Sequence, residues 1–262
     1  GKTTLLGTLI ANLWHTKKKA VLMAPTGRAA KVMSSYTNSQ AFTIHKQIYF
    51  PKKERSGGVR FALAPNRNRN TIFIVDEASM IPDAPSSDYK GKQTALLDDL
   101  MSYVYSGFRC QLVLIGDTAQ LPPVRLSLSP ALQPHTLELN YGKSVTEWEL
   151  DEVMRQTEDS GILMNATRLR HALESDPPET FQFHLDGYPD IVRLIDGYEI
   201  QDAITRAFDE DGREETAVIV RSNKRANLYN GNIRSRLLFL ENEIASVDYM
   251  MVVKNNYFWL KS

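Results

Sequence analysis

A lysine and two hydroxyl residues, Lys2-Thr3-Thr4, directly follow Gly1. Much later an apolar run, Ile72-Phe73-Ile74-Val75, ends in two acids, Asp76-Glu77, and then Ala78-Ser79. The first group is the back half of the phosphate-binding pattern G-x-x-x-x-G-K-[ST], with Gly1 as its second glycine. In that chemistry a lysine contacts the β- and γ-phosphates and a hydroxyl ligates Mg²⁺, which assigns these roles to Lys2 and Thr3. The second group supplies what remains. Asp76 holds the metal, directly or through water, and Glu77 orients and deprotonates the attacking water. The expectation is nucleotide hydrolysis, with Gly1, Lys2, Thr3 and Thr4 on ATP and with Thr3 and Asp76 on Mg²⁺. The opening of the phosphate loop is expected to lie before Gly1.

These residues need elements to hold them. Leu5, Leu6, Leu9, Ile10 and Leu13 recur at helical spacing, which sets Thr3 at the start of an amphipathic helix. The free N–H groups and positive dipole end of such a helix face phosphates. Lys17-Lys18-Lys19 falls where it should end and reads as solvated cations beside the negative pole. Ala20 to Ala24 reads as a buried strand closed by Pro25-Thr26-Gly27, and Arg28 to Met33 as the next helix. Thr43 is a candidate N-cap for Ile44-His45-Lys46-Gln47. Residues 51–70, rich in Lys, Arg, Asn, Gly and Pro, read as an exposed loop, and so do residues 82–94. Residues 72–75 form the strand before the acids, Leu96 to Tyr105 a helix, and Gln111 to Ile115 another buried strand closed by Gly116-Asp117. Strands alternating with helices predict a parallel sheet with helices on both faces. The turns at Pro25, Asp76 and Gly116 should line its carboxyl edge, where ligands bind in open α/β sheets.

A second region is expected from Glu149. Residues 150–174 read as helix, broken by Asp176-Pro177-Pro178; Ala217 to Val220 reads as a strand, Lys224 to Leu238 as a helix, and Met250 to Lys254 as the start of a strand. Basic and acidic residues balance at 31 each, so charge alone argues neither for nor against nucleic acid. The single cysteine, Cys110, excludes an internal disulfide and reads as a buried strand thiol. No apolar run is long enough for a membrane span and no signal peptide is visible, so a soluble, cytoplasmic protein without a membrane partner is expected.

Leu114-Ile115-Gly116-Asp117-Thr118-Ala119-Gln120-Leu121-Pro122-Pro123-Val124 is hard to explain by packing alone. Taken in order with Gly-Lys-Thr-Thr and Val-Asp-Glu-Ala-Ser, it resembles superfamily 1 helicases. Ala24-Pro25-Thr26-Gly27-Arg28-Ala29-Ala30-Lys31, Thr43-Ile44-His45, Val153-Met154-Arg155-Gln156 and Arg221-Ser222-Asn223-Lys224-Arg225 are similar to further helicase motifs. The combination looks most like the RecD-like branch of superfamily 1B. It covers nearly the whole chain and is sharpest over residues 1–156. No late motif with the glutamine and arginine of the second motor domain is found. The chain is therefore expected to be part of a longer motor and inactive by itself.

The resemblance implies an α/β P-loop NTPase fold, with a first RecA-like domain over residues 1–148. A partial second RecA-like domain would occupy 149–262 and run into an inserted β-rich segment near 244–262. It implies that Gln120 senses the γ-phosphate and that Arg155 is an arginine finger; an ion pair with Glu152 or Asp151 is the alternative for Arg155. Thr26, Arg28, Thr43, His45 and Asn223 are the implied contacts to single-stranded DNA, with hydroxyls, helix ends and cations gripping phosphates without reading sequence. Phe42, Tyr49 and Phe50 are candidates for base stacking, and Arg60 to Arg69 for a DNA-facing loop. The implied activity is ATP-dependent translocation on single-stranded DNA, 5′ to 3′, with partners in repair or recombination. A Pif-type helicase, an RNA-directed motor and a non-catalytic binding subunit are the alternatives.

Overall fold

The computed structural model describes residues 2–53, 59–82, 94–150, 160–174, 180–246 and 248–250. Gly1, Arg155, the Asp176-Pro177-Pro178 break and most of the expected loop at 82–94 lie outside them, as does the strand start at 250–254 beyond Met250. Two compact units are formed, Gly1–Gln182 and Phe183–Ser262. This division falls later in the chain than the 148/149 boundary expected between motor domains.

The first unit is built on a parallel sheet. Its elements are α1 (Lys2–Asn12), β1 (Lys19–Ala24), α2 (Gly27–Thr37), β2 (Ala41–Thr43), α3 (Ile44–Ile48), β3 (Tyr49–Lys53), β4 (Val59–Leu63), β5 (Thr71–Val75), α4 (Leu96–Ser106), β6 (Gln111–Leu114), α5 (Pro134–Tyr141) and α6 (Gly161–Glu174). Strands β2, β1, β5 and β6 lie side by side in that order, all parallel. Ala24 pairs with Thr43, Met23 with Val75, and Val75 with Leu114. All four strands therefore end level, and the loops at Pro25, Asp76 and Gly116 share one edge as expected.

Side chains of a strand alternate between faces. Phe73 and Val75 of β5 pack with Met23, Ile44, Ile48, Leu97, Leu100 and Val104 in the larger core. Ile74 points the other way and joins Leu22, Leu6, Leu13 and Met33 beneath α1 and α2. Of the α1 apolar positions, Leu6 is buried while Leu5 and Leu9 face solvent. Each large side chain fully buried in this way contributes about 1.5–3 kcal/mol. Helix α4 carries Asp98 and Asp99 in its first turn, where the positive pole favours them. They accept hydrogen bonds from Tyr141 and Tyr49, each at 2.7 Å, which tie α4 to α5 and β3. Cys110 is buried as expected, but it precedes β6 rather than lying within a strand.

Two local expectations are corrected. Residues 51–70 are not one loop, because β3 and β4 form an antiparallel hairpin with Pro51 opposite Phe61. A two-stranded sheet has only edges, so a proline lacking its N–H is tolerated there. In the second unit, α7 (Gly197–Glu210) and α8 (Asn223–Asn232) are present, and α8 continues into a π-helical turn at Ile233–Leu237, in keeping with the expected helix. Residues 217–220 form no strand, and Ile219 is 94% exposed. The described residues of this unit contain no other strand to pair with them, and an isolated apolar stretch has no ladder to join.

Candidate active site

Asp76 follows the last residue of β5. Its N–H donates to the Met23 carbonyl at 3.0 Å, which fixes the end of the strand. The carboxylate is almost fully buried, 6% exposed by residue. Oδ2 accepts the Tyr36 hydroxyl at 2.7 Å, and Oδ1 accepts the Glu77 N–H at 2.9 Å. Glu77 adopts a left-handed backbone (φ 56°), rare for a residue with a side chain and common at sites where position matters more than comfort. The chain turns there into a short 3₁₀ helix, Ala78–Met80. Ser129 Oγ donates to the Ala78 and Ile81 carbonyls and clamps this turn from beneath.

Lys2 opens α1 and reaches both acids. Its ammonium lies 3.1 Å from Asp76 Oδ1 and 2.9 Å from Glu77 Oε1. Burial pushes the Lys2 pKa down, but the hydrogen bond that Lys2 donates to Glu77 and the charge of Asp76 outweigh it and hold the group above its ordinary value. The Tyr36 phenol is held far above its usual range by burial and by the Asp76 carboxylate. Thr3 is half-buried beside Lys2, and Thr4 is exposed.

The donor set fits a divalent cation of the Mg²⁺ type. Carboxylate oxygens are hard ligands, and the Lys2 ammonium between the two acids marks a spot that already takes positive charge. Among the described residues no group of three or more His, Cys, Asp or Glu could hold a metal. A cation here would draw its remaining ligands from phosphate and water, as Mg²⁺ does.

The Gly116 turn lies alongside. The Ala78 N–H donates to the Ile115 carbonyl at 2.8 Å, and the Ile115 N–H to the Val75 carbonyl at 2.8 Å, so the two turns are stitched together. Asp117 accepts the Ala119 N–H at 3.0 Å and pairs with Arg170 of α6 at 3.0 Å. Gln120 follows in this turn, its N–H on the Asp117 carbonyl, with its side chain exposed. Sequence reading missed Tyr36 and Arg170, since each is one polar residue in a helix with no motif around it.

The expected nucleic-acid contacts divide by unit. Thr26 caps α2, its hydroxyl accepting the Ala29 N–H, and Thr43 caps α3 by accepting the Lys46 N–H. The Ala24–Thr43 register sets these two helix starts side by side on the carboxyl edge. Arg28 is exposed in the first turn of α2. His45 is half-buried with its ring 5.5 Å from that of Tyr49, and burial lowers its pKa. Lys46 lies over the Phe42 ring, and Phe50 is 40% exposed on the hairpin. Asn223 opens α8 in the second unit, behind the Ser222 cap.

A parallel α/β sheet with a lysine at a helix start, facing an Asp-Glu pair at the carboxyl edge, is an arrangement consistent with a P-loop, RecA-like fold. The family model described as an AAA domain matches residues 1–125. The chain is 32% identical over 151 residues to the ATP-dependent RecD2 DNA helicase of Deinococcus radiodurans; the match spans 57% of this chain and 17% of that protein. Among solved structures it is matched to the crystal structure of Bacteroides Pif1 bound to ssDNA, with a TM-score of 0.39 and 18% identity over 89% of this chain and 50% of that one. With the motifs above, the family model and the RecD2 relative support a likeness to RecD-like helicases of superfamily 1. No helix among the described residues is long and apolar enough to cross a membrane.

Proposed function

We propose that this chain carries the ATP-hydrolysing core of a DNA helicase, coupling hydrolysis to movement on single-stranded DNA, in the 5′ to 3′ sense. The observation that carries the reading is the Lys2–Asp76–Glu77 cluster at the carboxyl edge of the sheet. The RecD2 relative, by name an ATP-dependent DNA helicase, supports it.

Lys2 turns from the acids to the β- and γ-phosphates when nucleotide arrives. Thr3 and Asp76 hold Mg²⁺, which neutralises phosphate charge when bound. Glu77, released from Lys2, orients the water and takes its proton. Gln120, on the turn stitched to the Asp76 turn, senses the γ-phosphate. Arg155 serves as the arginine finger, a group worth roughly 10³–10⁵ in rate in comparable phosphoryl transfers. Thr26, Arg28, Thr43 and His45 grip the DNA backbone from the neighbouring loops, joined by Asn223 from the region after 149, which is read as part of a second motor domain. Repair or recombination is the setting proposed for this activity.

The test is steady-state ATPase of the full-length protein with and without single-stranded DNA, beside Lys2→Ala and Glu77→Gln. DNA-stimulated turnover is expected in wild type. Lys2→Ala should lose it, and Glu77→Gln should bind nucleotide but turn over about 10²–10⁴-fold more slowly. Wild-type protein that is folded yet hydrolyses nothing with DNA or RNA would instead be a binding subunit.

A further inference from the structure

We propose that Tyr36 is a positioning residue for the metal-binding carboxylate, holding Asp76 so that one oxygen, Oδ1, is presented to the cation. The inference rests on the reading of Asp76 as a Mg²⁺ ligand.

An aspartate carboxylate turns about a soft torsion with broad wells. Its direction must therefore be set by hydrogen bonds. Here two donors take different oxygens. The Glu77 N–H holds Oδ1 at 2.9 Å, and the Tyr36 hydroxyl holds Oδ2 at 2.7 Å. Lys2 contacts Oδ1 as well, at 3.1 Å. The side that meets a cation is thus Oδ1, while Oδ2 is turned to the phenol. Metal sites are commonly tuned by such outer hydrogen bonds to their carboxylate ligands.

Tyr36 is well placed for this duty. It lies in the last turn of α2, and helical side chains lean toward the helix N-terminus, so the phenol points back toward the sheet edge. Its ring packs against the core formed by Leu6, Leu22, Met33 and Ile74, which leaves the hydroxyl little freedom. Without that hydroxyl, Oδ2 would be a buried acceptor short of its donor. The carboxylate would rotate, and its contact with Lys2 would compete with the cation.

The test is Tyr36→Phe in the full-length protein, beside wild type and Asp76→Asn. Binding of a fluorescent, non-hydrolysable ATP analogue is followed while MgCl₂ is titrated, and again in excess EDTA. Tyr36→Phe should raise the half-saturating Mg²⁺ about tenfold, the scale of one lost hydrogen bond to a charged group. Its affinity without Mg²⁺ should stay near wild type, because the ring remains. Unchanged Mg²⁺ dependence would overturn the proposal. So would a variant that binds analogue more weakly in EDTA to the same extent, since that assigns Tyr36 to packing. If wild type shows no Mg²⁺-dependent binding, or Asp76→Asn leaves it intact, the underlying reading of the site fails, an outcome distinct from failure of Tyr36 alone.

Discussion

Lys2 stands between two carboxylates, and this arrangement ties the cation to the same atoms that chemistry would need. On the proposed reading, phosphate would draw the ammonium away before Glu77 acts on water, which would make ligand arrival and activation of the base one event. Charge at His45 obeys a different constraint. Burial lowers its pKa below the ordinary 6.5, so the fold prefers the neutral ring, and any contact with a phosphate would come from an uncharged donor. The sign for stability follows. Above pH 6.5 the neutral ring is common to both states and its contribution is fully present. As pH falls through the folded-state value, the unfolded chain takes up the proton more readily and that contribution is lost. Urea midpoints measured on both sides of pH 6.5 should fall with acid in wild type and fall less in His45→Gln; parallel curves would remove His45 from the account.

At the scale of elements, the site depends on how closely two turns approach. A Cβ built on Gly116 would meet Leu132 Cδ1 at 2.7 Å and the Ser79 backbone nitrogen at 3.0 Å. The leucine tip can yield, but the backbone nitrogen is held in the turn that Ser129 clamps. Gly116→Ala should cost about 1–3 kcal/mol, as overpacking does, and should weaken nucleotide-dependent turnover with it. A denaturation midpoint equal to wild type would show that the turns are not tightly coupled. The same scale shows what sequence could tell. The strands at Ala20–Ala24, 72–75 and 111–115 were legible because each is a short apolar run closed by a turn residue, and the parallel sheet followed from their alternation with helices. The β3–β4 hairpin was hidden because Lys52, Lys53 and Pro51 read as loop, while Val59-Arg60-Phe61-Ala62-Leu63 alternates only over a short span. Ala217 to Val220 misled in the opposite sense, since β-branched residues favour a strand only where a neighbour offers a ladder. Lys2, Asp76 and Glu77, which the structure brings together, were singled out by motif. Tyr36 was not, because a hydroxyl on Asp76 from a helix forty residues upstream is a tertiary fact.

Across the whole chain, burial is unevenly shared, and that should govern where it opens. Helix α4 buries Leu96, Leu97, Leu100, Met101, Tyr103 and Val104, and β5 buries Phe73, Ile74 and Val75. Helices α7 and α8 have no buried residue, although Ile200, Ile204 and Phe208 of α7 recur at helical spacing. Helices in proteins are stabilised mainly by packing of an apolar face rather than by propensity. Opening free energies accordingly run from near zero in poorly packed segments to the global value in the core. Hydrogen exchange on the full-length protein should therefore find the slowest amides in α4 and β5 and much faster exchange in α7 and α8. If the proposed site is right, nucleotide should add protection around Lys2 and Asp76, in proportion to its occupancy. Equal protection of α7 and α4 would mean that the α7 face is covered in the full-length protein.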